Sequence, residues 1–355
     1  MKVVIACGGT GGHLFPGIAV AQELKTRGHE VRLLISEKTV DAQASKKYGG
    51  LEFDTVPAVA KPRTLSFKMI PFMWKMWKTV GKCKKIHKAY GTDAVIGMGG
   101  FTSLAPVLAG HKLKAKAFVH DSNALPGKAN RLTARWCNKV FIGFEQARKF
   151  FPKNEVEVTG TPVRDEITNL PSREDAAARL GIDANLKTVM VMGGSQGAKQ
   201  LNSLIVEASK AMPETQFIQI TGNADFDRVE AELGETKHHK LMAFCDDMAA
   251  VYAVSDLAVM RSGASSLTEI SYVGLASILV PYPYAADDHQ TKNAEVFEDG
   301  DAALLRQEKD IDAGSLVADL TAILDSTETL VNMSAASEAL SVKDAASRIC
   351  NHIEA

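Results

Sequence analysis

The sequence predicts an α/β protein of two doubly wound, Rossmann-like domains, and three observations carry that expectation. Short apolar runs alternate with helix-length amphipathic stretches along nearly the whole chain. Few polar residues interrupt the runs, as parallel strands buried on both faces require. Each half begins with such a run leading into a glycine-rich turn: Gly8-Gly9-Thr10-Gly11-Gly12-His13 in the first, Gly193-Gly194-Ser195-Gln196-Gly197-Ala198 in the second. A length of 355 residues also suits two cores better than one.

In the first half, strands are expected at residues 3–7, 31–35, 53–56, 94–98, 117–120 and 140–142. A third glycine-rich turn, Gly97-Met98-Gly99-Gly100-Phe101-Thr102-Ser103, follows the fourth of these. The segment Thr159-Gly160-Thr161-Pro162-Val163-Arg164 then breaks the alternation. The domain boundary is set there, with an N-terminal domain over 1–162 and a C-terminal domain over 163–340. The second half places strands at 188–192, 216–220, 241–244, 257–260, 277–280 and 302–305. Residues 344–353 have the period of an amphipathic helix started by Ser341 and Asp344, so 341–355 forms a terminal helical segment. Ligands of open parallel sheets bind at the carboxyl ends of the strands, where all the glycine-rich turns fall.

Composition narrows the function. Hydrophobic residues make up 46% and charged residues 23%, which marks an ordered globular chain. A net charge of −1 argues against general nucleic-acid binding. The five cysteines are scattered with no CxxC, as expected of reduced thiols in a cytoplasmic compartment. The N-terminus enters a strand with no signal-peptide pattern, and no run is long and apolar enough to span a bilayer. The glycine-rich turns match neither the dinucleotide fingerprint, since Leu14 stands at its third glycine, nor a P-loop, since 197–200 reads Gly-Ala-Lys-Gln. His238-His239 lies in a polar stretch and is expected at the surface. The pairs Asp246-Asp247 and Asp287-Asp288 are expected to be solvated, so no metal is expected.

Residues 261–294 concentrate the chemistry. An apolar run over 257–260 leads into the small, polar turn Arg261-Ser262-Gly263-Ala264-Ser265-Ser266, and a helical pattern follows through Leu267, Ile270 and Val273. The first amides of such a helix lack intrahelical partners and carry partial positive charge, which suits a phosphate. Glu269, about one turn in, can accept two hydroxyl hydrogen bonds, as a ribose offers. Beyond the next strand, Gln290 can donate to and accept from sugar hydroxyls. An ordinary βαβ unit with a solvated loop would share this pattern.

Residues 61–88 are the compositional outlier. They hold Lys61, Arg63, Lys68, Lys75, Lys78, Lys82, Lys84, Lys85 and Lys88, with no acidic residue. At helical spacing Met69, Met73, Trp77 and Val80 share one face, opposite Lys68, Lys75 and Lys82. Such a segment can rest on an anionic bilayer, with Phe67, Ile70, Phe72, Trp74 and Trp77 inserted and Lys75 and Lys78 on headgroups. The alternative is a domain helix whose apolar face packs on the sheet.

Taken together, GGTGGH, GMGGFTS, HDSN (His120–Asn123), GTPVR, GGSQGA, RSGASSLTE and DDHQTKNA occur in the order seen in the MurG family. The sequence resembles that family from Lys2 to about Ala294. These are cell-wall glycosyltransferases that convert lipid I to lipid II. The resemblance implies a GT-B fold, two Rossmann-like domains around a cleft, with the final helix returning to the first domain. It implies transfer of N-acetylglucosamine from UDP-GlcNAc to the muramyl 4-hydroxyl of undecaprenyl-pyrophosphoryl-MurNAc-pentapeptide, with inversion and with neither metal nor cofactor.

By motif matching, donor contacts fall on Thr10, Gly11, Gly12, Asn123, Arg164, Ser195 and Cys245, the last through its backbone. They continue through Ala264, Ser265, Ser266, Leu267, Thr268 and Glu269 to Gln290. The turn Gly99-Gly100-Phe101-Thr102 and the Gly8–His13 turn are candidates for the acceptor diphosphate, and glycine there equally serves tight strand-to-helix packing. His120, near Asn123 at a strand end, lines the same cleft or is structural. His13 is the candidate general base, because it ends a glycine-rich turn and an imidazole titrates near neutrality. Orienting the turn or holding the acceptor diphosphate is its alternative role. A lipid-borne acceptor implies peripheral attachment to an anionic surface, at the cytoplasmic face of the bacterial inner membrane, in the company of other cell-wall synthesis or division proteins. A UDP-GlcNAc 2-epimerase shares the two-domain layout but needs neither the lipid acceptor nor the basic aromatic segment.

Overall fold

The computed structural model describes residues 1–37, 47–57, 69–193 and 198–355. They form two compact units, Met1–Arg164 with Val342–Ala355, and Asp165–Ser341.

The first unit runs β1 (Lys2–Ala6), α1 (Gly11–Thr26), β2 (Glu30–Ile35), β3 (Glu52–Thr55), α2 (Met69–Tyr90), β4 (Ala94–Gly97), α3 (Gly100–Lys112), β5 (Lys116–Asp121), α4 (Lys128–Thr133), β6 (Lys139–Ile142) and β7 (Val156–Val158). Its strands are parallel, in the order β3-β2-β1-β4-β5-β6-β7. The sheet is sandwiched by two apolar layers, so Val3 and Ile5 pack on one face while Val4 and Ala6 pack on the other. The strand order reverses between β1 and β4, so the glycine-rich turns that follow these two strands lie side by side at the switch point.

The second unit runs α5 (Asp165–Thr168), α6 (Arg173–Leu180), β8 (Thr188–Met192), α7 (Lys199–Ala211), β9 (Gln216–Ile220), α8 (Phe226–Leu233), β10 (His239–Met242), α9 (Met248–Val254), β11 (Leu257–Met260), α10 (Ala264–Val273), β12 (Ala276–Leu279), α11 (His289–Asp299), β13 (Ala303–Leu305), α12 (Ala313–Leu324) and α13 (Thr327–Ala339). The order β10-β9-β8-β11-β12-β13, again parallel, puts the switch point between β8 and β11. The turn that starts at Arg261 leaves the sheet there.

The chain end, α14 (Ala345–Glu354), belongs to the first unit. Ile349, Cys350 and Ile353 are buried with Leu14, Ile18 and Leu24. Arg27 of α1 fixes the helix with hydrogen bonds to Ser347 Oγ at 2.6 Å, Asn351 Oδ1 at 2.7 Å and Glu354 Oε2 at 2.8 Å. Asp344 precedes the helix without capping it through its side chain; its carboxylate pairs instead with Arg348 at 2.8 Å.

Three local expectations need correction. Strand β7 goes unread in the sequence because it is three residues long and each is only partly buried. Strand β10 starts earlier than expected, and Phe244 lies beyond it, 63% exposed. His239 is therefore a strand residue rather than a surface one. It stacks on Phe217 at 5.6 Å and its Nε2 lies 2.9 Å from Gln219 Oε1; burial lowers its pKa to about 4.

The third correction concerns α2. Its buried edge is Met76, Thr79, Val80, Cys83 and His87. Phe72 also turns inward and meets Phe101 edge-on at 6.2 Å, so it is not an outward-facing membrane contact. Met73 and Trp77 do not share the buried side with Val80: Ile70, Met73, Trp74 and Trp77 are 76%, 46%, 68% and 56% exposed. The helix carries two apolar stripes, and the one with the smaller residues packs against the body of the unit. Phe67, the remaining apolar candidate, lies outside the described residues.

Candidate functional site

In the first unit the site is built at the β1/β4 switch point. Helix α1 begins directly after Thr10, whose backbone is extended and whose side chain makes no capping bond. Gly11 and Gly12 thus supply first-turn amides, which have no partners within a helix. His13 follows on the same turn, half-buried, with its ring lying on the glycine-rich turn after β4. A Cβ at Gly99 would sit 2.6 Å from both Nδ1 and Cε1 of that ring, and one at Gly100 would sit 3.3 Å from Nε2. Gly99 (φ 127°) and Gly100 (φ 72°) also hold conformations that side-chain-bearing residues rarely adopt. These glycines therefore form the seat of the imidazole.

The two turns are clamped together. Thr102 Oγ1 donates to the Gly8 carbonyl at 2.6 Å. Ser103 Oγ takes the Gly99 N–H at 3.2 Å and lies 2.9 Å from the Ala6 carbonyl. The Thr102 hydroxyl proton is thus engaged within the protein, and Phe101 packs on Phe72. For an anion, the groups this turn offers are the first amides of α3.

Below them, His120 is buried and donates from Nε2 to the Gly160 carbonyl at 2.9 Å. Burial lowers its pKa to about 4, with the nearby His13 adding to the shift, so it stays neutral at neutral pH and pins the turn at Gly160. Asn123 is oriented by Asp121, whose Oδ1 accepts from the Asn123 backbone N at 2.9 Å and from Nδ2 at 3.2 Å. Asp121 Oδ2 accepts from Gly127 N at 3.0 Å and Asn130 Nδ2 at 2.8 Å. Burial raises the Asp121 pKa, and these bonds oppose the rise. Asp121 was not singled out in the sequence, although it sits between two residues that were. Arg164, nearly buried, belongs to this unit and lays its guanidinium 4.2 Å above the Phe15 ring of α1.

In the second unit the site forms around the amino end of α10. Gly263 precedes the helix in an extended conformation (φ −66°, ψ 131°) and makes no side-chain cap, so the amides of Ala264, Ser265 and Ser266 open the helix. Leu267 is fully buried, and Thr268 Oγ1 donates back to the Ala264 carbonyl at 2.8 Å. These two side chains serve the fold, and the Leu267 amide is itself engaged, donating to the Gly263 carbonyl at 3.0 Å. Glu269, 8% exposed, accepts a hydrogen bond from the Tyr252 hydroxyl at 2.8 Å. Tyr252 escaped the sequence reading because it sits mid-helix in α9 among apolar neighbours, where an aromatic residue reads as core.

Gln290 is held at both ends. Its Oε1 accepts from Tyr282 N at 2.9 Å, and its backbone carbonyl accepts from Ser262 Oγ at 2.8 Å. An N–H must meet the oxygen, so the amide has one orientation and its Nε2 is the donor end. Cys245 is buried, which raises its thiol pKa, so the side chain is a poor nucleophile. Ser195 lies outside the described residues.

Comparison with known proteins agrees with this layout. Residues 3–142 match the glycosyltransferase family 28 N-terminal domain, and 188–349 match its C-terminal domain. A UDP-N-acetylglucosamine–N-acetylmuramyl-(pentapeptide) pyrophosphoryl-undecaprenol N-acetylglucosamine transferase from Halalkalibacterium halodurans is 34% identical, covering 98% of each chain. The protein of the same name from Geotalea uraniireducens is 37% identical, covering 89% of this chain and 87% of that one. The crystal structure of Acinetobacter baumannii MurG superposes with a TM-score of 0.78 at 25% identity, over 99% of both chains. A UDP-GlcNAc 2-epimerase from Neisseria meningitidis shares the fold, with a TM-score of 0.73 at 14% identity over 100% of both chains. With whole-length identity above 30% to the transferases, and both halves matched in order, the chain belongs to the MurG family of GT-B glycosyltransferases.

Proposed function

We propose that the chain transfers N-acetylglucosamine from UDP-GlcNAc to the muramyl 4-hydroxyl of lipid I, forming lipid II with inversion at the anomeric carbon. The observation that carries this is identity over nearly the whole length to transferases named for that reaction. The likeness to the 2-epimerase, at 14% identity, extends to the fold alone.

In this reading the second unit holds the donor. The amides of Ala264, Ser265 and Ser266 receive the diphosphate, Glu269 accepts from the ribose hydroxyls, and Gln290 donates to the sugar from Nε2. Asn123, Arg164, Cys245 and the turn at Thr10, Gly11 and Gly12 complete the donor contacts. His13 takes the proton from the 4-hydroxyl as that oxygen attacks the anomeric carbon. The bond to UDP breaks on the opposite face, and the electron pair leaves with the diphosphate. Negative charge growing there is met by the partial positive charge of the helix end, fixed in place before the reaction. Gly99 and Gly100 keep the imidazole close to one orientation, which favours a group that must meet one hydroxyl.

The acceptor is lipid-borne, and α2 supplies a surface suited to it. Ile70, Met73, Trp74 and Trp77 form an outward stripe. Lys78 lies 5.3 Å from the Trp74 ring and Lys112 4.5 Å from the Trp77 ring. Lys75 is exposed beside them. Among the described residues no helix is long and apolar enough to cross a membrane. The proposed attachment is therefore peripheral, with the indoles in the interface and the lysines on anionic headgroups, at the cytoplasmic face of the inner membrane.

The test is incubation with UDP-GlcNAc, with and without a lipid I analogue, following UDP release and disaccharide formation. UDP and the disaccharide are expected in equal amounts, and only when the acceptor is present. Epimerised nucleotide sugar without acceptor, or binding without UDP release, would overturn the assignment.

A further inference from the structure

A buried ion pair outside every role assigned above connects the two ends of the donor site. Arg261, the last residue before the helix-opening turn, is 6% exposed. Its guanidinium pairs with Glu308, which follows β13, and the two side chains are 7% and 12% exposed. Nη1 of Arg261 donates to the Val280 carbonyl at 3.0 Å and to the Pro281 carbonyl at 3.1 Å, and the guanidinium lies 5.6 Å from the Tyr282 ring. Gln200 Nε2 donates to the Glu308 carbonyl at 3.0 Å, tying α7 to the same point.

These contacts close a ring. From Arg261 it runs through Val280 and Pro281 to Tyr282, whose N–H holds Gln290 Oε1 at 2.9 Å. It returns from the Gln290 carbonyl to Ser262 Oγ at 2.8 Å, one residue from the start. Asn293 Nδ2 braces it by donating to the Ser262 carbonyl at 3.1 Å. The helix end proposed for the diphosphate and the amide proposed for the sugar are thus joined along two routes. A buried ion pair is a poor source of stability, because desolvating two charges offsets most of their attraction. A planar fork of fixed donors can, however, fix the relative positions of several carbonyls, and no apolar pair can do that.

We propose that Arg261, held by Glu308, is a positioning residue that sets the spacing between the amino end of α10 and Gln290, and so couples sugar recognition to diphosphate recognition. This rests on the donor-site reading given above. Lysine at 261 would replace the planar fork by a single compact ammonium, which does not fix the carbonyls and Glu308 in one plane.

Calorimetric titration with UDP and with UDP-GlcNAc tests it, on the wild type, Arg261→Lys, Gln290→Ala and the double variant. The quantity read is the ratio of UDP-GlcNAc affinity to UDP affinity, which a general loss of stability does not move. Arg261→Lys is expected to lower that ratio about tenfold, and the double variant to lower it no further than Gln290→Ala alone. If Arg261→Lys does not fold, Arg261→Met combined with Glu308→Gln removes both charges and is read in the same way. An unchanged ratio in the Arg261 variant, or effects that add fully with Gln290→Ala, would overturn the positioning role while leaving the donor site standing. An unchanged ratio in Gln290→Ala would overturn the donor-site reading and the inference with it.

Discussion

At Gly99 the glycine-rich turn after β4 runs under His13 so closely that no side chain fits between them. If His13 is the base, His13→Ala should lower kcat by about 10²- to 10⁴-fold while leaving UDP-GlcNAc binding nearly unchanged. Steady-state rates beside donor titrations measure both, and an unchanged kcat would remove His13 from the chemistry. Gly99→Ala should then act through the displaced ring. It should be costly in the wild type and less so in the His13→Ala background, where the ring clash is gone and only the backbone strain at φ 127° remains; an equal cost in both would assign the glycine to the backbone alone. For Glu269→Ala the donor Michaelis constant should rise about tenfold or more, with kcat less affected. Normal donor saturation would count against a ribose contact. At this scale the motifs named the neighbourhood but not the roles of its side chains. Glycines in the first unit's turns gave away a close approach. Nothing local revealed that Leu267 would be buried, that the Thr268 hydroxyl would bond back to its own helix, or that Asp121 and Tyr252 would orient Asn123 and Glu269, because those contacts are made in the folded state and leave no periodic trace.

Among the elements, α2 shows how far a pattern can be read. Its helical period was legible, but a helix with two apolar stripes does not announce which one is buried. Packing settled it in favour of Thr79, Val80 and Cys83 and left Ile70, Met73, Trp74 and Trp77 outside. That outcome sharpens the membrane test. Trp74→Ser with Trp77→Ser should weaken cosedimentation with anionic liposomes while preserving activity on a soluble acceptor analogue. Replacing Lys75 and Lys78 by Gln should weaken it roughly tenfold or more at low salt, since each lysine near such a surface contributes about 1 kcal/mol. Liposome binding that ignores all four changes would dismiss this helix as the contact. Strands with four or more buried residues in a row were legible, and so were the edge strands β3 and β13, but β7, partly exposed, was missed and β10, which starts on a histidine, was shifted.

Over the molecule, two open parallel sheets were legible from alternation alone, because strands buried on both faces must be apolar throughout. Strand order was not, since pairing between distant segments is not written in any one of them. The order determines which turns become neighbours: those after β1 and β4 in the first unit, while in the second it sets β8 beside β11. Burial of neutral histidines has a global consequence too. His120 has its pKa lowered from 6.5 to about 4. It is neutral in both folded and unfolded chains above pH 6.5, and below that the unfolded chain takes up the proton first. Stability should therefore fall as pH drops from about 6.5 to about 4, by about 3 kcal/mol from this residue. His239, lowered to about 4, acts in the same direction in the second unit. Chemical denaturation across that range, with His120→Gln as the comparison, should show a shallower decline in the variant.

In the proposed function the second unit grips the sugar nucleotide at the amino end of α10. A crystal structure with UDP-GlcNAc bound tests that most directly. The diphosphate is predicted against the amides of Ala264, Ser265 and Ser266, with the ribose on Glu269 and the sugar within reach of Gln290 Nε2. A uridine diphosphate held by the first unit alone would contradict it.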